Sequence, residues 1–238
     1  KKISLTGMPI APTVISPITL YQNAIAQALT AAGSNLKWYT TQTGGVGSST
    51  VVPATVSIGS ITYYVSQTSN GCESPRSPIV VNVVANQSIA LRKGLNLISL
   101  WLTPIDASIA EVFKTILSNV SYIKNSDAFW KAGQTDVYNS LKRINAGEAY
   151  LVYMLKDTIL PVSGDKIITP LVSIPAGKKG AVMQGCPFSS TTSFENAYGT
   201  NVSKISNIKN FDGYWLPYGT SNSITGFTTG SGYFVELK

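Results

Sequence analysis

The chain contains no histidine and only two cysteines, Cys72 and Cys186. The missing histidine removes the commonest general base, the commonest metal ligand and every histidine-dependent catalytic triad. Two cysteines that lie far apart in sequence, without histidine, do not form a standard structural zinc site. We expect two free and largely buried thiols, with a disulfide between them as the alternative.

Charged residues make up only 12% of the chain, and no hydrophobic run is long enough to span a membrane. The net charge is +7, but the chain has no basic tract and no nucleic-acid-binding motif. Nucleic acid is therefore not an expected partner, whereas an anionic glycan or cell surface fits the charge. Because the sequence starts at Lys1 without a signal peptide, we expect a processed piece of a larger secreted protein.

Glycine, serine, threonine, asparagine and tyrosine are plentiful, with 20 glycines and 12 tyrosines. β-Branched and aromatic residues favour strands, while glycine, asparagine and serine favour the turns between them. This composition is typical of extracellular β-rich proteins, so we predict an all-β fold with minor α-helix. The 238 residues suffice for one large domain or two of ordinary size.

Residues 12–86 follow a predicted tail or linker at 1–11 and contain short segments separated by turn residues. Residues 36–39 and 60–68 alternate apolar and polar side chains, and residues 79–84 are predicted as a closing strand. About seven short strands, with a lone Trp38 on an early one, predict an immunoglobulin-like β-sandwich with that tryptophan in its core.

Several motifs occur in one order within this segment: Tyr21-Gln22-Asn23, Leu36-Lys37-Trp38-Tyr39, Gly44-Gly45, Thr62-Tyr63-Tyr64-Val65 and Gly71-Cys72-Glu73-Ser74-Pro75. Together they make residues 12–86 similar to the immunoglobulin-like domains of Bacteroidetes surface and secreted proteins. That resemblance implies a spacer and does not imply catalysis. In the family a cysteine commonly precedes the Gln-Asn pair and bonds to the Gly-Cys cysteine. Here Tyr21 takes that place, so the resemblance implies that Cys72 lacks its usual partner.

The rest of the chain, residues 87–238, consists of two copies of one module. The segment Ile123-Lys124-Asn125-Ser126-Asp127-Ala128-Phe129-Trp130 returns 85 positions later as Ile208-Lys209-Asn210-Phe211-Asp212-Gly213-Tyr214-Trp215. A Gly-x-x-Tyr motif ends each copy, at Tyr150 and Tyr233. We place repeat one at 89–166 and repeat two at 168–238, and expect them to pack together because a single copy would expose an apolar face.

Each repeat is predicted to contain one short helix among its strands. Ser108 or Asp106 can cap the first helix, because apolar residues recur at helical spacing after them. The second helix is predicted at residues 193–198. Strands are predicted at residues 95–100, 120–124, 149–154 and 158–162 in repeat one and at 180–185, 202–209 and 232–237 in repeat two.

The module also resembles a known repeat. Gly94-Leu95-Asn96-Leu97-Ile98-Ser99, Trp130 and Ala146-Gly147-Glu148-Ala149-Tyr150 follow the order of a Gly-Trp-Asn-x-Ile-Ser and Pro-Gly-x-Gly-Tyr-type repeat. That repeat accompanies secreted microbial polysaccharide-degrading and surface proteins. Here Leu95 replaces the first tryptophan, so the resemblance implies an extracellular context rather than an activity.

Trp130 and Trp215 are the sharpest candidates for a binding site. A planar aromatic can stack on a sugar ring, and a nearby carboxylate can accept hydrogen bonds from sugar hydroxyls. Two copies would add avidity on a polymer. Alternatively, the paired aromatics are core residues, since neighbours on a strand point to opposite faces. The remaining candidates in the two segments are Phe129, Tyr214, Asp127 and Asp212.

Trp101 and Tyr218 are further carbohydrate-binding candidates. Trp101 has no tryptophan counterpart in repeat two and precedes a predicted loop, while Tyr218 lies in a loop that could extend the platform. Tyr150 and Tyr233 alternate with hydrophobic residues and are predicted to lie in the core.

The carboxylates predict no catalytic pair, because a glycosidase needs two of them held ~5–9.5 Å apart and no spacing here fixes such a pair. We expect no cofactor, and calcium has no supporting motif. The sequence favours a non-catalytic, secreted or cell-surface region that binds polysaccharide or a cell-surface glycan beside other domains of a parent chain. The alternative is a structural spacer or adhesin stalk that binds no small ligand.

Overall fold

The computed structural model describes residues 8–238, so the first seven residues of the predicted tail lie outside the described ones. The chain divides into two compact units, the first ending at Ala85 and the second running from Asn86 to Lys238. The predicted all-β fold with minor helix is confirmed. No helix in the described residues is long and apolar enough to cross a membrane.

The first unit is built on an antiparallel sheet in which β2, β3 and β5 are neighbours, with β1 parallel to β5 and β4 paired with β3. Its strands are β1 (Ile18–Tyr21), β2 (Leu36–Tyr39), β3 (Gly59–Ser69), β4 (Cys72–Glu73) and β5 (Ser77–Leu91), the last of which extends past Ala85.

About seven strands were expected in this unit, and the described residues hold five. Other segments of this unit form isolated β-bridges instead of strands. These bridges join Thr13 to Ala32 and Trp38 to Ser48. Leu29 still donates its amide to the Val51 carbonyl at 2.9 Å, so the irregular backbone is hydrogen-bonded. Trp38 is 3% exposed in the core, as predicted.

The Gly-Cys-Glu motif of this unit has a structural role. Asn70 and Gly71 both have positive φ, at 50° and 78°, which suits the tight turn between β3 and β4. After the turn, the Glu73 carboxylate accepts hydrogen bonds from the Ser66 and Tyr39 hydroxyls, each at 2.5 Å. Both hydrogen bonds lower the pKa of Glu73, and the bond from Ser66 has the larger effect. Arg76 covers the Tyr39 ring at 3.2 Å.

Both cysteines are free, but their surroundings differ. Cys186 is fully buried, and burial raises the pKa of its thiol to about 11. Cys72 is exposed on the two-residue strand β4, so the expectation of a buried thiol is wrong for this residue. β4 pairs with β3, and both of its side chains lie at the surface. Tyr21, which stands where the family commonly has the partner cysteine, is 51% exposed.

A thiol-reactive chromophore should therefore label one cysteine in the native protein at neutral pH and two after unfolding. The exposed Cys72 reacts first, because the buried Cys186 has neither access nor thiolate character. Cys72→Ser should abolish the native signal and Cys186→Ser should leave it unchanged. Two thiols labelled at equal rates in the folded protein would contradict the assignment.

The second unit contains the two repeats, which share four strands and one short helix in the same order. Repeat one has β6 (Gly94–Ser99), β7 (Leu102–Pro104), α1 (Ile109–Val112), β8 (Val120–Lys124), β9 (Phe129–Lys131), β10 (Ala149–Met154) and β11 (Thr158–Lys166). Repeat two has β12 (Gly180–Gly185), β13 (Thr192–Ser193), α2 (Phe194–Tyr198), β14 (Ile205–Lys209), β15 (Tyr214–Trp215), β16 (Gly226–Phe227) and β17 (Gly232–Leu237).

The two helices begin at equivalent serines. Ser108 caps α1 by accepting the Glu111 amide at 3.4 Å, and Ser193 caps α2 by accepting the Asn196 amide at 3.1 Å. Asp106 does not cap the helix itself; its carboxylate accepts the Ser108 amide at 2.8 Å, which lowers its pKa. The prediction of one short capped helix in each repeat is confirmed.

Each repeat forms a four-stranded antiparallel sheet of matching order, β6-β10-β8-β9 in repeat one and β12-β17-β14-β15 in repeat two. The cross-strand register is also shared, since Ile123 faces Trp130 and Ile208 faces Trp215. The duplication seen in sequence is therefore a duplication of sheet, register and helix.

Equivalent residues of the two repeats meet one another, which is the signature of a pseudo-two-fold axis. Leu97 and Leu151 form a small apolar cluster against their counterparts Met183 and Phe234. The Ser99 hydroxyl donates to the Cys186 carbonyl at 3.3 Å. Cys186 directly follows the residue of repeat two that corresponds to Ser99. Burial of these facing side chains supplies the association that an isolated sheet would lack.

Two glycines allow the backbones of the two repeats to approach each other closely. A Cβ on Gly185 would overlap the Gly147 and Glu148 carbonyl oxygens, which belong to the other repeat. A Cβ on Gly232 would come within 3.0 Å of the Ala149 Cβ and the Ile98 carbonyl oxygen. Neither position lies in the left-handed region, so both glycines serve close packing rather than a turn.

Gly185→Ala should destabilise the protein by about 1–3 kcal/mol, because the new Cβ would meet backbone carbonyl oxygens rather than the ends of flexible side chains. Chemical denaturation followed by circular dichroism measures the change. Gly33→Ala is the matched control, since its Cβ would meet only side-chain ends of Gln67 and Leu36. An equal effect of the two substitutions would contradict the role given to Gly185.

Candidate functional site

The repeated Asn-x-Asp segment forms the same turn in both copies. The Asn125 side-chain oxygen accepts the amides of Asp127 and Ala128 at 3.0 and 2.8 Å. The Asn210 side-chain oxygen accepts those of Asp212 and Gly213 at 2.9 and 3.0 Å. The asparagine is thus a turn residue that joins β8 to β9 and β14 to β15. The aspartates are exposed, and their carboxylates accept no hydrogen bond from the described residues.

The aromatic pair after this turn divides between the two faces of the sheet. Phe129 and Tyr214 are 43% and 45% exposed, while Trp215 is 1% exposed and Trp130 is half-buried. This is the alternation expected of consecutive strand residues. The first aromatic of each pair is therefore the one available for stacking on a ligand.

The prediction that Trp215 stacks on a sugar is wrong, because its indole lies in the core of repeat two. Its ring packs against Phe194 of α2 at 5.3 Å between centroids, and its N–H donates to a Glu195 carboxylate oxygen at 3.2 Å. Repeat one has Ile109 and Ala110 at those helix positions. A smaller apolar neighbour and a missing acceptor leave Trp130 partly at the surface.

An Asn-Ser dipeptide also occurs in both repeats, and sequence reasoning missed it. The Asn139 side chain accepts the Lys131 amide at 2.8 Å, and the Ser140 hydroxyl accepts the Phe129 amide at 3.0 Å. Asn222 and Ser223 bind the amides of Leu216 and Tyr214 in the same way, each at 2.8 Å. These pairs hold the outer edges of β9 and β15, and their constant spacing of 83 residues was the available signal.

Tyr150 and Tyr233 are core residues that also anchor the turn before their own strand. The Tyr150 hydroxyl accepts the Asn145 amide at 2.8 Å and donates to Glu148 at 2.6 Å. The Tyr233 hydroxyl accepts the Thr228 amide at 2.7 Å and donates to the Gly226 carbonyl at 3.2 Å. Burial raises the pKa of both phenols, so they stay protonated and able to donate.

The two remaining aromatic candidates lie on connections. Trp101, between β6 and β7, is half-buried and has the Lys166 ammonium 6.0 Å from its ring centroid. Tyr218 follows β15, adopts φ of 63° and is 86% exposed. Tyr218 therefore lies in the same hairpin as Tyr214, whereas Trp101 belongs to a different part of repeat one.

Two polar grooves of about 330 Å³ each lie where the repeats meet. The first groove is lined by the turn at 125–127, the turn at 147–149 and residues 182–184 of β12. The second is lined by the turn at 210–212, the turn at 229–231 and residues 95–98 of β6. Each groove thus combines two turns of one repeat with the first strand of the other, and the pseudo-two-fold axis relates them.

Equivalent charged residues line the two grooves. Asp127 and Lys178 contribute opposite charges to the first, and Asp212 and Arg92 contribute them to the second. Glu148 lines the first groove alone, and its counterpart in the second is Ser231. Within residues 8–238 no group of three or more carboxylates or thiols converges as a metal site.

These features lie in the second unit, and the comparison with known families concerns the first. Residues 9–84 match the family described as Ig-like domain CHU_C associated. This is a Bacteroidetes-type immunoglobulin-like domain, and the match covers nearly all of the segment for which the resemblance was predicted. A comparison with curated proteins found no match.

The immunoglobulin-like domain and the candidate site therefore occupy different parts of the chain. The exposed pair Phe129 and Tyr214, the aspartates of the two turns and both grooves all lie beyond Asn86. The family match accounts for the fold of the first unit and leaves the chemistry of the second to be argued from its own residues.

Substitutions of two adjacent residues test whether one aromatic of the pair is buried and the other is exposed. Trp215→Ala should destabilise the protein by about 3–5 kcal/mol, because it empties a fully buried site in the core. Tyr214→Ala should change stability by about 0.5 kcal/mol or less, since its ring is half-exposed. Scanning calorimetry compares the two variants with the native protein. Similar losses for both would contradict the burial difference.

Proposed function

We propose that this chain is a non-catalytic region of a larger secreted or surface protein and that its second unit binds polysaccharide. The observation that carries the proposal is the exposure of Phe129 and Tyr214 at 43% and 45% on equivalent strands. The core does not need a large aromatic at Tyr214, because the fully buried side chain of β15 is Trp215. An exposed ring can stack on the C–H face of a sugar.

Polar groups beside the aromatics fit sugar hydroxyls. Asp127 precedes Phe129 by two residues and Asp212 precedes Tyr214 by two, so each exposed ring follows an exposed carboxylate. A free carboxylate is a hydrogen-bond acceptor, and hydroxyl groups are donors. Each aspartate also lines one of the two grooves. Each exposed ring therefore lies two residues along the chain from a carboxylate that lines a groove.

The duplication favours a polymer over a small ligand. Two weak sites on one rigid unit bind a repeating chain with an avidity that neither site has alone. The immunoglobulin-like domain agrees with this context, because domains of this kind are generally non-catalytic and are associated with extracellular or surface proteins. The resemblance of the second unit to repeats of polysaccharide-degrading proteins supports the same setting.

A structural spacer or adhesin stalk is the second candidate function. It is favoured by the roles of the residues that both copies retain: Asn125 and Asn210 form turns, and Tyr150 and Tyr233 anchor them from the core. A duplication that preserves only these contacts would need no ligand. The family match is equally consistent with this function.

Retention on insoluble cellulose, chitin, xylan and mannan tests the proposal. The native chain should be retained on at least one of these polymers. Phe129→Ala/Tyr214→Ala should bind it about tenfold more weakly or worse, because both stacking surfaces are lost. Scanning calorimetry on the same variant establishes that it is folded.

Tyr21→Ala is the control, since it removes an aromatic that is 51% exposed and belongs to the first unit, outside the proposed site. Its retention should equal that of the native chain. Retention that survives in the Phe129 and Tyr214 variant would overturn the assigned site. No retention of the native chain on any polymer would favour the spacer.

A further inference from the structure

Four lysines converge on one pocket at the border of repeat two. Lys178, Lys179, Lys204 and Lys238 line a cavity of about 260 Å³ together with residues 174–177 and Leu237. All four side chains are exposed, and no Asp or Glu side chain among the described residues lines the pocket. A concave surface with charges of one sign concentrates counter-ions of the opposite sign.

Neutral groups hold two of these ammonium ions in place. The Lys204 ammonium donates to the Asn201 side-chain oxygen at 2.8 Å, and the Lys238 ammonium donates to the Ser203 carbonyl at 3.0 Å. An ammonium has three donors, so each retains capacity for a ligand. The ion pairs found among the described residues involve Lys114 and Lys142, not the pocket lysines. The positive charge of the pocket is therefore not cancelled by side-chain carboxylates.

Repeat one shows that the fold does not require Lys204 or Lys238. The Lys238 amide donates to the Lys204 carbonyl at 3.0 Å, and in repeat one the Leu155 amide donates to the Asn119 carbonyl at 2.8 Å. Asn119 and Leu155 are the counterparts of Lys204 and Lys238, so the same backbone pairing forms without either charge. These two charges of the pocket are therefore found in one copy only and are not explained by the shared structure.

We propose that this pocket binds the anionic groups of an acidic polysaccharide. The inference rests on the polysaccharide-binding function proposed above and specifies the class of polymer. Pro175 and Lys178 line both this pocket and the first groove, so the two are neighbours. A sugar chain in the groove would place a carboxylate or sulfate substituent near the lysines. The corresponding place beside the second groove keeps basic residues at 92 and 93 but has Asn119 and Leu155 instead of the other two lysines.

The residues of repeat one at the corresponding positions provide the substitutions that test the pocket. Lys204→Asn/Lys238→Leu gives repeat two the residues that repeat one already accommodates at the same positions. The matched control is Lys93→Asn/Lys156→Leu, which removes the same charge from exposed positions at the corresponding end of repeat one. Both variants therefore have the same net charge, and only the first alters the pocket.

Biolayer interferometry on immobilised polygalacturonate, dextran sulfate and neutral dextran measures the effect. The native chain should bind at least one acidic polymer more tightly than dextran, and raising the salt from ~0.05 M to ~0.5 M should weaken that binding. The pocket variant should bind about five- to tenfold more weakly, as two exposed charge contacts are lost. The control should match the native chain. The polymer preferred, carboxylated or sulfated, identifies the anionic group.

Equal binding by the pocket variant and the native chain would overturn the assignment, and so would an equal loss in the control, since net charge would then explain the binding. Preference for dextran or for a neutral polymer such as xylan, unchanged in the pocket variant, would overturn this inference and leave the proposed function standing. Failure to bind any acidic or neutral polymer would overturn both.

Discussion

The arrangement of the second unit depends on the contact between its two four-stranded sheets. Leu97 and Leu151 pack against Met183 and Phe234, and the approach is close enough that Gly185 and Gly232 leave no room for a Cβ. Each sheet has an apolar face that water would otherwise cover, and its own equivalent in the other repeat covers it. The grooves exist because of this contact, since each needs turns from one repeat and a strand from the other.

Within this frame the two copies separate structural from ligand-facing positions. Residues whose side chains satisfy backbone groups are the same type in both, as with Asn125 and Asn210 or Ser108 and Ser193. Changing one would leave buried or turn amides without partners, which is costly. Some other positions outside the core have diverged, as Asn119 corresponds to Lys204 and Glu148 to Ser231. The exposed Asp127 and Asp212 are retained although their carboxylates satisfy no backbone group, which is why the proposed function is assigned to that segment.

Local patterns predicted the elements well and the side-chain surroundings less well. The strands at residues 120–124, 149–154, 180–185 and 232–237 have the expected bounds, and the serine caps follow from the helix entry sequence. The unequal burial of Trp130 and Trp215 did not follow, because it depends on Ile109 and Phe194, about twenty residues earlier in the chain. The exposure of Cys72 was missed because burial at the end of this local hairpin depends on what packs over it, which the turn sequence does not show.

The sequence by itself determined the all-β class, the duplication, the absence of histidine-dependent chemistry and the immunoglobulin-like character of the first unit. These are properties of composition, period and local turn chemistry, which act over a few residues. Only the tertiary structure decided that Phe129 and Tyr214 face outward, that Trp215 is enclosed and that four lysines from distant segments line one pocket. Burial and convergence depend on which distant segments of a repeat meet in the folded chain, and no local pattern encodes that meeting.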